Sequence, residues 1–282
     1  MLWCVKDLKY IAAAKVSTQV QELSVDYTDC NSVANADFGN IPTDKYSSSF
    51  KSSNATRPMW KVQQHDEVPP YGVQQNDTTV CTLLFDIPND IGPPVLLYYR
   101  LTNFYQNHRR YGKSLDTSQL NGNFISNNTI SNSACNPLKL APNGKAYYPC
   151  GLIANSLFND TIRSPVALNS NQGVDGTKTY NMTSKGIAWS SDAELYSKTA
   201  YTRDQVMPPP NWHNRYPNGY TAENDIPDLS TYEEFQVWMR TAGLPTFSKL
   251  ALRNDDEIMP AGTYQIEISD CKHAASISNG FC

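Results

Sequence analysis

Apolar and polar residues are patterned most clearly in two stretches, and both predict strands. Thr79–Ile87 (TVCTLLFDI) is rich in β-branched and aromatic residues and ends at Pro88-Asn89-Asp90. Pro94–Leu101 (PVLLYYRL) is the second. Phe247–Leu252 and Thr263–Ile268 read as further strands, and Val20, Leu23, Val25 and Tyr27 suit a strand where residues 16–30 enter the fold. One segment, 231–242, has helical spacing: Phe235, Trp238 and Met239 fall at i, i+3 and i+4. Ser230 is its expected N-cap, Glu233 completes a capping box, and Gly243 and Pro245 stop it. Asn103–Tyr111 predicts a short helix or turn. Short apolar segments mark Gly151–Phe158 and Gly186–Ser190. Residues 31–75 and 115–148 are polar and turn-rich, and Val206-Met207-Pro208-Pro209-Pro210 excludes regular helix or a central strand. The sum predicts a mainly β (α+β) chain, an antiparallel β-sandwich core with long loop-rich, partly helical extensions.

Composition agrees with that class. Of 282 residues, 18% are charged, and 26 Asn with 46 Ser plus Thr fill the polar share. These residues favour turns, caps and strands over helix interiors. A net charge of −4, with no run of Lys or Arg beyond two, argues against a nucleic-acid partner. No apolar stretch approaches the length that spans a bilayer, and Lys6, Asp7 and Lys9 interrupt the start of the chain before a secretion-signal core can form. Neither a signal nor an anchor is therefore expected within these 282 residues. Seven cysteines without a C-x-x-C pair disfavour zinc clusters, and leave open either buried thiols or a bridged secreted domain. Five N-x-[ST] sequons, at Asn54, Asn76, Asn127, Asn159 and Asn181, are no more than this composition gives by chance.

Candidate chemistry is sparse. There is no phosphate-binding glycine loop and no G-x-S-x-G elbow. Asp175-Gly176-Thr177-Lys178-Thr179 has the letters of the aspartyl-phosphate motif of P-type ATPases in the wrong order. His65, His108, His213 and His273 are scattered, so no metal or other cofactor is expected. Glu233-Glu234, Asp255-Asp256-Glu257 and Asp225 with Asp228 are carboxylate groupings that a glycosidase could use, but a cap and solvated turns explain them as well. Trp189, Trp212 and Trp238 suit sugar or protein contacts, or simply a core. An alternative reading is therefore a secreted carbohydrate-binding or glycoside-cleaving β-sandwich.

Five segments together resemble one family: Tyr98–Ser114 (YYRLTNFYQNHRRYGKS), Pro149–Thr161 (PCGLIANSLFNDT), Gly186–Trp189 (GIAW), Pro208–Tyr220 (PPPNWHNRYPNGY) and Pro227–Pro245 (PDLSTYEEFQVWMRTAGLP). They resemble the cell division control protein 50 / ligand-effect modulator 3 family, the accessory (β) subunits of type IV P-type ATPases, the phospholipid flippases. The resemblance spans 16–268 as a single exoplasmic domain and leaves 1–15 and 269–282 unmatched. It implies an integral protein with two membrane helices, both missing from this chain. That subunit is non-catalytic and partners the catalytic α subunit, which needs it for stability, exit from the endoplasmic reticulum and lipid translocation. It works on the lumenal or extracellular side of endoplasmic reticulum, Golgi, endosome or plasma membrane. The family's pattern also implies disulfides Cys30–Cys81 and Cys135–Cys150 and glycans on Asn159 and Asn181, and gives Cys4, Cys271 and Cys282 no bridge. Docking on the ATPase is expected around Tyr105, Arg109, Arg110 and Tyr111, and around Trp212 and Tyr216. The same motifs could equally tie loops to the sheets.

Overall fold

A computed structural model describes residues 20–52, 56–67, 75–168 and 176–269; the side chains of Glu67 and 75–77 are outside the description. The expected Cys4, Cys271 and Cys282, His273 and Asn54 therefore lie outside it.

The main sheet has seven strands. Its centre is Gln75–Ile87, paired antiparallel with Gly262–Ser269 on one side and with Met59–Glu67 on the other. Gly262–Ser269 buries Tyr264, Ile266 and Ile268 at every second position, the period-two pattern of a strand with one buried face. These align with Phe85, Leu83 and Cys81 across the ladder. Trp60 and Val62 of Met59–Glu67 face Leu83 and Cys81 from the other side. Met59–Glu67 corrects one expectation: the stretch 31–75, polar and turn-rich in sequence, supplies a strand of the main sheet. Gln63, Gln64 and His65 disguise that strand because they lie on its exposed part.

The second layer is smaller than a full sandwich partner. Val95–Leu101 pairs with Phe247–Asn254 in a two-stranded antiparallel sheet, with a bulge between Leu250 and Leu252. Val95 and Leu97 pack toward the seven-stranded sheet. Tyr99 and Leu101, further along the same face of the strand, join the largest core together with Phe247 and Ala251.

That largest core is built chiefly from connections. It joins Leu120, Ile130, Tyr148, Ile153, Trp212, Leu229, Phe235 and Trp238, among others, from short helices and the loops between them. The turn-rich stretch 115–148 therefore buries more than its polarity suggested, with Ala146 and Tyr148 fully enclosed. Buried amides and hydroxyls replace the missing ladders. Gln119, fully buried, donates from Nε2 to the Tyr147 carbonyl (3.1 Å) and accepts at Oε1 from the Cys150 amide (3.0 Å). Ser114 Oγ donates to the Asn136 carbonyl and accepts from the Leu152 amide, both at 2.9 Å. Each buried backbone group so paired avoids a desolvation cost of about 1–3 kcal/mol.

The expected helix forms, shortened to Glu233–Met239, with Phe235, Trp238 and Met239 buried. The capping box does not form. Tyr232 holds the N-cap position without a side-chain bond; Ser230 Oγ donates to Asp228 Oδ1 (2.6 Å), and Glu233 Oε2 accepts from the Ala188 amide (3.0 Å). A nearer acceptor and a distant backbone donor outcompete the local motif.

Candidate functional site

Strand Val95–Leu101 runs into a loop whose residues alternate between core and solvent. Asn103 adopts φ 57°, a left-handed conformation that Asn tolerates. Phe104 turns inward, edge-on to Tyr111, Trp238 and Phe247 at 5.8, 5.5 and 6.2 Å. Tyr105 points out and is 59% exposed. Gln106 turns in and is fully buried, accepting at Oε1 from the Ala242 amide (2.8 Å). Asn107 Nδ2 donates to the Gly243 carbonyl (3.1 Å), and the Phe104 amide to that of Pro245 (3.0 Å). Three bonds thus clamp 104–107 onto 242–245, beside Leu244, which is 69% exposed. The short helix Arg109–Gly112 follows, with Arg109 and Arg110 exposed. Tyr111 returns to the interior, its hydroxyl 2.8 Å from Ser156 Oγ, and burial pushes that hydroxyl up to about 12.

Arg163, Arg203, Arg240 and Arg253 each sit in an ion pair. Arg109, Arg110 and Lys113 have no carboxylate partner among the described residues, in a chain whose net charge is −4. Tyr105 and Leu244, on the clamped loops, and Arg109, Arg110 and Lys113, in the segment that follows, are all exposed.

In the second expected docking segment the two aromatic residues, Trp212 and Tyr216, are buried while Asn211 and His213 between and beside them are exposed. Trp212 is 2% exposed; its Nε1 donates to the Ala154 carbonyl (2.9 Å), and its ring meets Tyr216 and Phe235, each at 6.0 Å. Tyr216 is also buried, and burial holds its hydroxyl far above the usual tyrosine range. Trp212 and Tyr216, with Tyr111, tie loops into the large core; for Trp212 and Tyr111 the buried polar atom also has a hydrogen-bond partner. Trp238 does the same through Nε1 to the Ile153 carbonyl (2.8 Å). Trp189 stays 55% exposed beneath the guanidinium of Arg240, 3.5 Å from its ring centre.

Cys30 is bonded to Cys81, joining the helical turn Cys30–Val33 to the central strand, and Cys135 is bonded to Cys150 inside the large core. Asn181 is exposed, Asn159 half-buried. The side chain of Asn127 is engaged, accepting from the Ala146 amide (3.3 Å). The carboxylate groupings serve structure: Asp225 pairs with Arg203, Asp255 with Arg253, and Asp228 accepts from Ser230. His65, His108 and His213 are exposed and far apart in sequence. Among the described residues, no group of three His, Cys, Asp or Glu could hold a metal ion, and no helix is long and apolar enough to cross a membrane.

Sequence reasoning missed Gln106, Leu244 and Lys249. Gln106 reads as one more polar loop residue, and Leu244 as a lone apolar between Gly243 and Pro245. Lys249 lies mid-strand yet is 8% exposed, its Nζ donating to the carbonyls of Val237 (2.9 Å) and Arg240.

The profile of the LEM3 (ligand-effect modulator 3) family / CDC50 family matches residues 13–274. Similar proteins include the phospholipid-transporting ATPase accessory subunit CDC50 of Chaetomium thermophilum, 44% identical over 257 residues that cover 88% of this chain and 62% of that protein. The accessory subunits CRF1 and LEM3 of Saccharomyces cerevisiae are 43% and 39% identical, covering 90% and 89% of this chain and 61% and 60% of theirs. The chain thus spans about three fifths of the length of these relatives. With its motifs in family order over a described β-rich fold, the chain belongs to the LEM3/CDC50 family.

Proposed function

We propose that this chain is the exoplasmic part of a non-catalytic accessory subunit of a phospholipid-transporting ATPase, and that it docks on the ATPase through Tyr105, Arg109, Arg110 and Leu244. The observation that carries the reading is the clamped, exposed Tyr105 and the exposed, unpaired cations that follow it, within the segment that carries the family motif. Tyr and Arg are the residue types that dominate interface energetics. Cations without an internal partner are free to pair with carboxylates on another protein, which speeds and orients encounter. The two disulfides support an oxidising, lumenal or extracellular setting. Asn159 and Asn181 are assigned as glycan carriers in that setting; a glycosidase-sensitive mobility shift of the same size in wild type and N159Q/N181Q would refute this.

The docking test uses the chain fused to a membrane anchor and co-expressed with a phospholipid-transporting ATPase. The two should co-purify. Tyr105→Ala with Arg109→Ala and Arg110→Ala should cut recovery about tenfold or more, with the denaturation midpoint unchanged. Trp212→Ala should instead lower the midpoint. No recovery of the wild-type complex, or full recovery with the triple variant, rejects the proposal.

A further inference from the structure

The helix Glu233–Met239 ends without the usual device. Arg240 leaves helical geometry at ψ 94°, and the glycine expected to close the helix, Gly243, lies further along. The last carbonyls of a helix have no partner within it and carry the negative end of its dipole. Here a side chain from the adjacent sheet supplies what the chain end lacks. Lys249, opposite Tyr99 in the two-stranded sheet, sends its ammonium to the carbonyls of Val237, Trp238 (3.5 Å) and Arg240. Three donors meet three acceptors, as a buried ammonium requires. The Trp238 carbonyl also accepts from Gln106 Nε2 (3.5 Å), while Gln106 Oε1 holds the Ala242 amide. One connected set of bonds therefore runs from the strand, through the helix exit, to the loop that bears Tyr105.

We propose that Lys249 is the positioning residue of the docking face: its ammonium fixes segment 240–245, and through Gln106 that segment fixes loop 103–108. The assignment rests on the docking reading for its purpose, but its geometry is testable apart from any partner. Lys249 touches nothing outside the protein; it acts by setting where Leu244 and Tyr105 stand.

The test is amide hydrogen exchange on the folded chain with both disulfides intact. In Lys249→Met, exchange at Phe104, Gln106 and Ala242 should rise about tenfold or more, while Leu83 and Tyr264 in the main sheet keep their protection. Lys249→Arg, which keeps the charge and the donors, should restore part of the loss. Gln106→Leu breaks the second link and should free Phe104 and Ala242 while Arg240 stays protected; it also serves if Lys249→Met fails to fold. Unchanged exchange at 104–106 and 242 in both variants overturns the proposal, as does an equal rise across the main sheet. Capture by the ATPase is read in the same variants. Loosened loops with undiminished capture would locate the fault in the docking reading, since the pin would have been shown to work on a face that binds nothing.

Discussion

At Gly151 the backbone turns with φ 100°, and an added Cβ would sit 2.0 Å from the carbonyl oxygen of Ser114. The contact is backbone on backbone, so no rotamer change relieves it. Gly151→Ala is expected to cost at least about 3 kcal/mol, combining left-handed strain with displacement of the Ser114–Leu152 crossing. Gly144 is the control: its φ is 79°, and a Cβ there meets nothing within 4 Å. Gly144→Ala should cost roughly 1–2 kcal/mol, the conformational penalty alone. Urea denaturation of both variants decides the matter, and equal midpoints would refute the crowding at Gly151. Residues like these mark how far the sequence could be read. Tyr105 and Trp212 look alike there, each an aromatic in a polar motif. What separates them is the Ala154 carbonyl, 58 residues from Trp212 in the chain, and no local pattern reports such a partner.

Elements were legible where hydrophobic period met no competing signal. The strands Val95–Leu101 and Phe247–Asn254 and the buried face of Glu233–Met239 follow from it. Met59–Glu67 did not, because half of its length is polar and exposed. The helix ends were misread for another reason: Glu233 and the terminal carbonyls were satisfied by Ala188 and Lys249, partners from other elements. Where regular structure is thin, covalent links matter more. Cys135–Cys150 closes a separation of 15 residues and Cys30–Cys81 one of 51. The chain-entropy argument assigns them about 3 and about 4 kcal/mol. Cys135→Ala with Cys150→Ala should therefore lower unfolding free energy by roughly 3 kcal/mol, and Cys30→Ala with Cys81→Ala by about 1 kcal/mol more. Denaturant titration of the two double variants checks the order; the reverse ranking would show that the packing around the shorter loop, not loop closure, carries the effect.

On the scale of the whole molecule, the largest core is unusually rich in tyrosine, and that gives the fold a defined response to alkali. Burial pushes Tyr111, Tyr148 and Tyr196 up to about 12, as it does Tyr180 beside the main sheet. Burial also raises Tyr99 and Tyr220 well above the usual tyrosine range. A phenol whose folded pKa lies above its unfolded one stabilises the fold fully below about pH 10, where both states hold the proton. Between about 10 and 12 the unfolded chain has released protons that the folded one keeps, so stability falls by about 1.4 kcal/mol per pH unit for each such tyrosine. Lys249 acts in the opposite sense. Burial pushes its ammonium down to about 8, so between about 8 and 10.5 the unfolded chain binds the extra proton and stability rises. The two slopes predict a shallow gain in the urea midpoint from pH 8 to about 10, then a steep and cooperative loss above it. The tyrosinate absorbance of these buried residues should appear together with unfolding rather than before it. Ionisation of most tyrosines near pH 10 in a chain that remains folded would mean that water reaches these hydroxyls, and that the large core is not the closed body which holds Tyr105 and its neighbours in place.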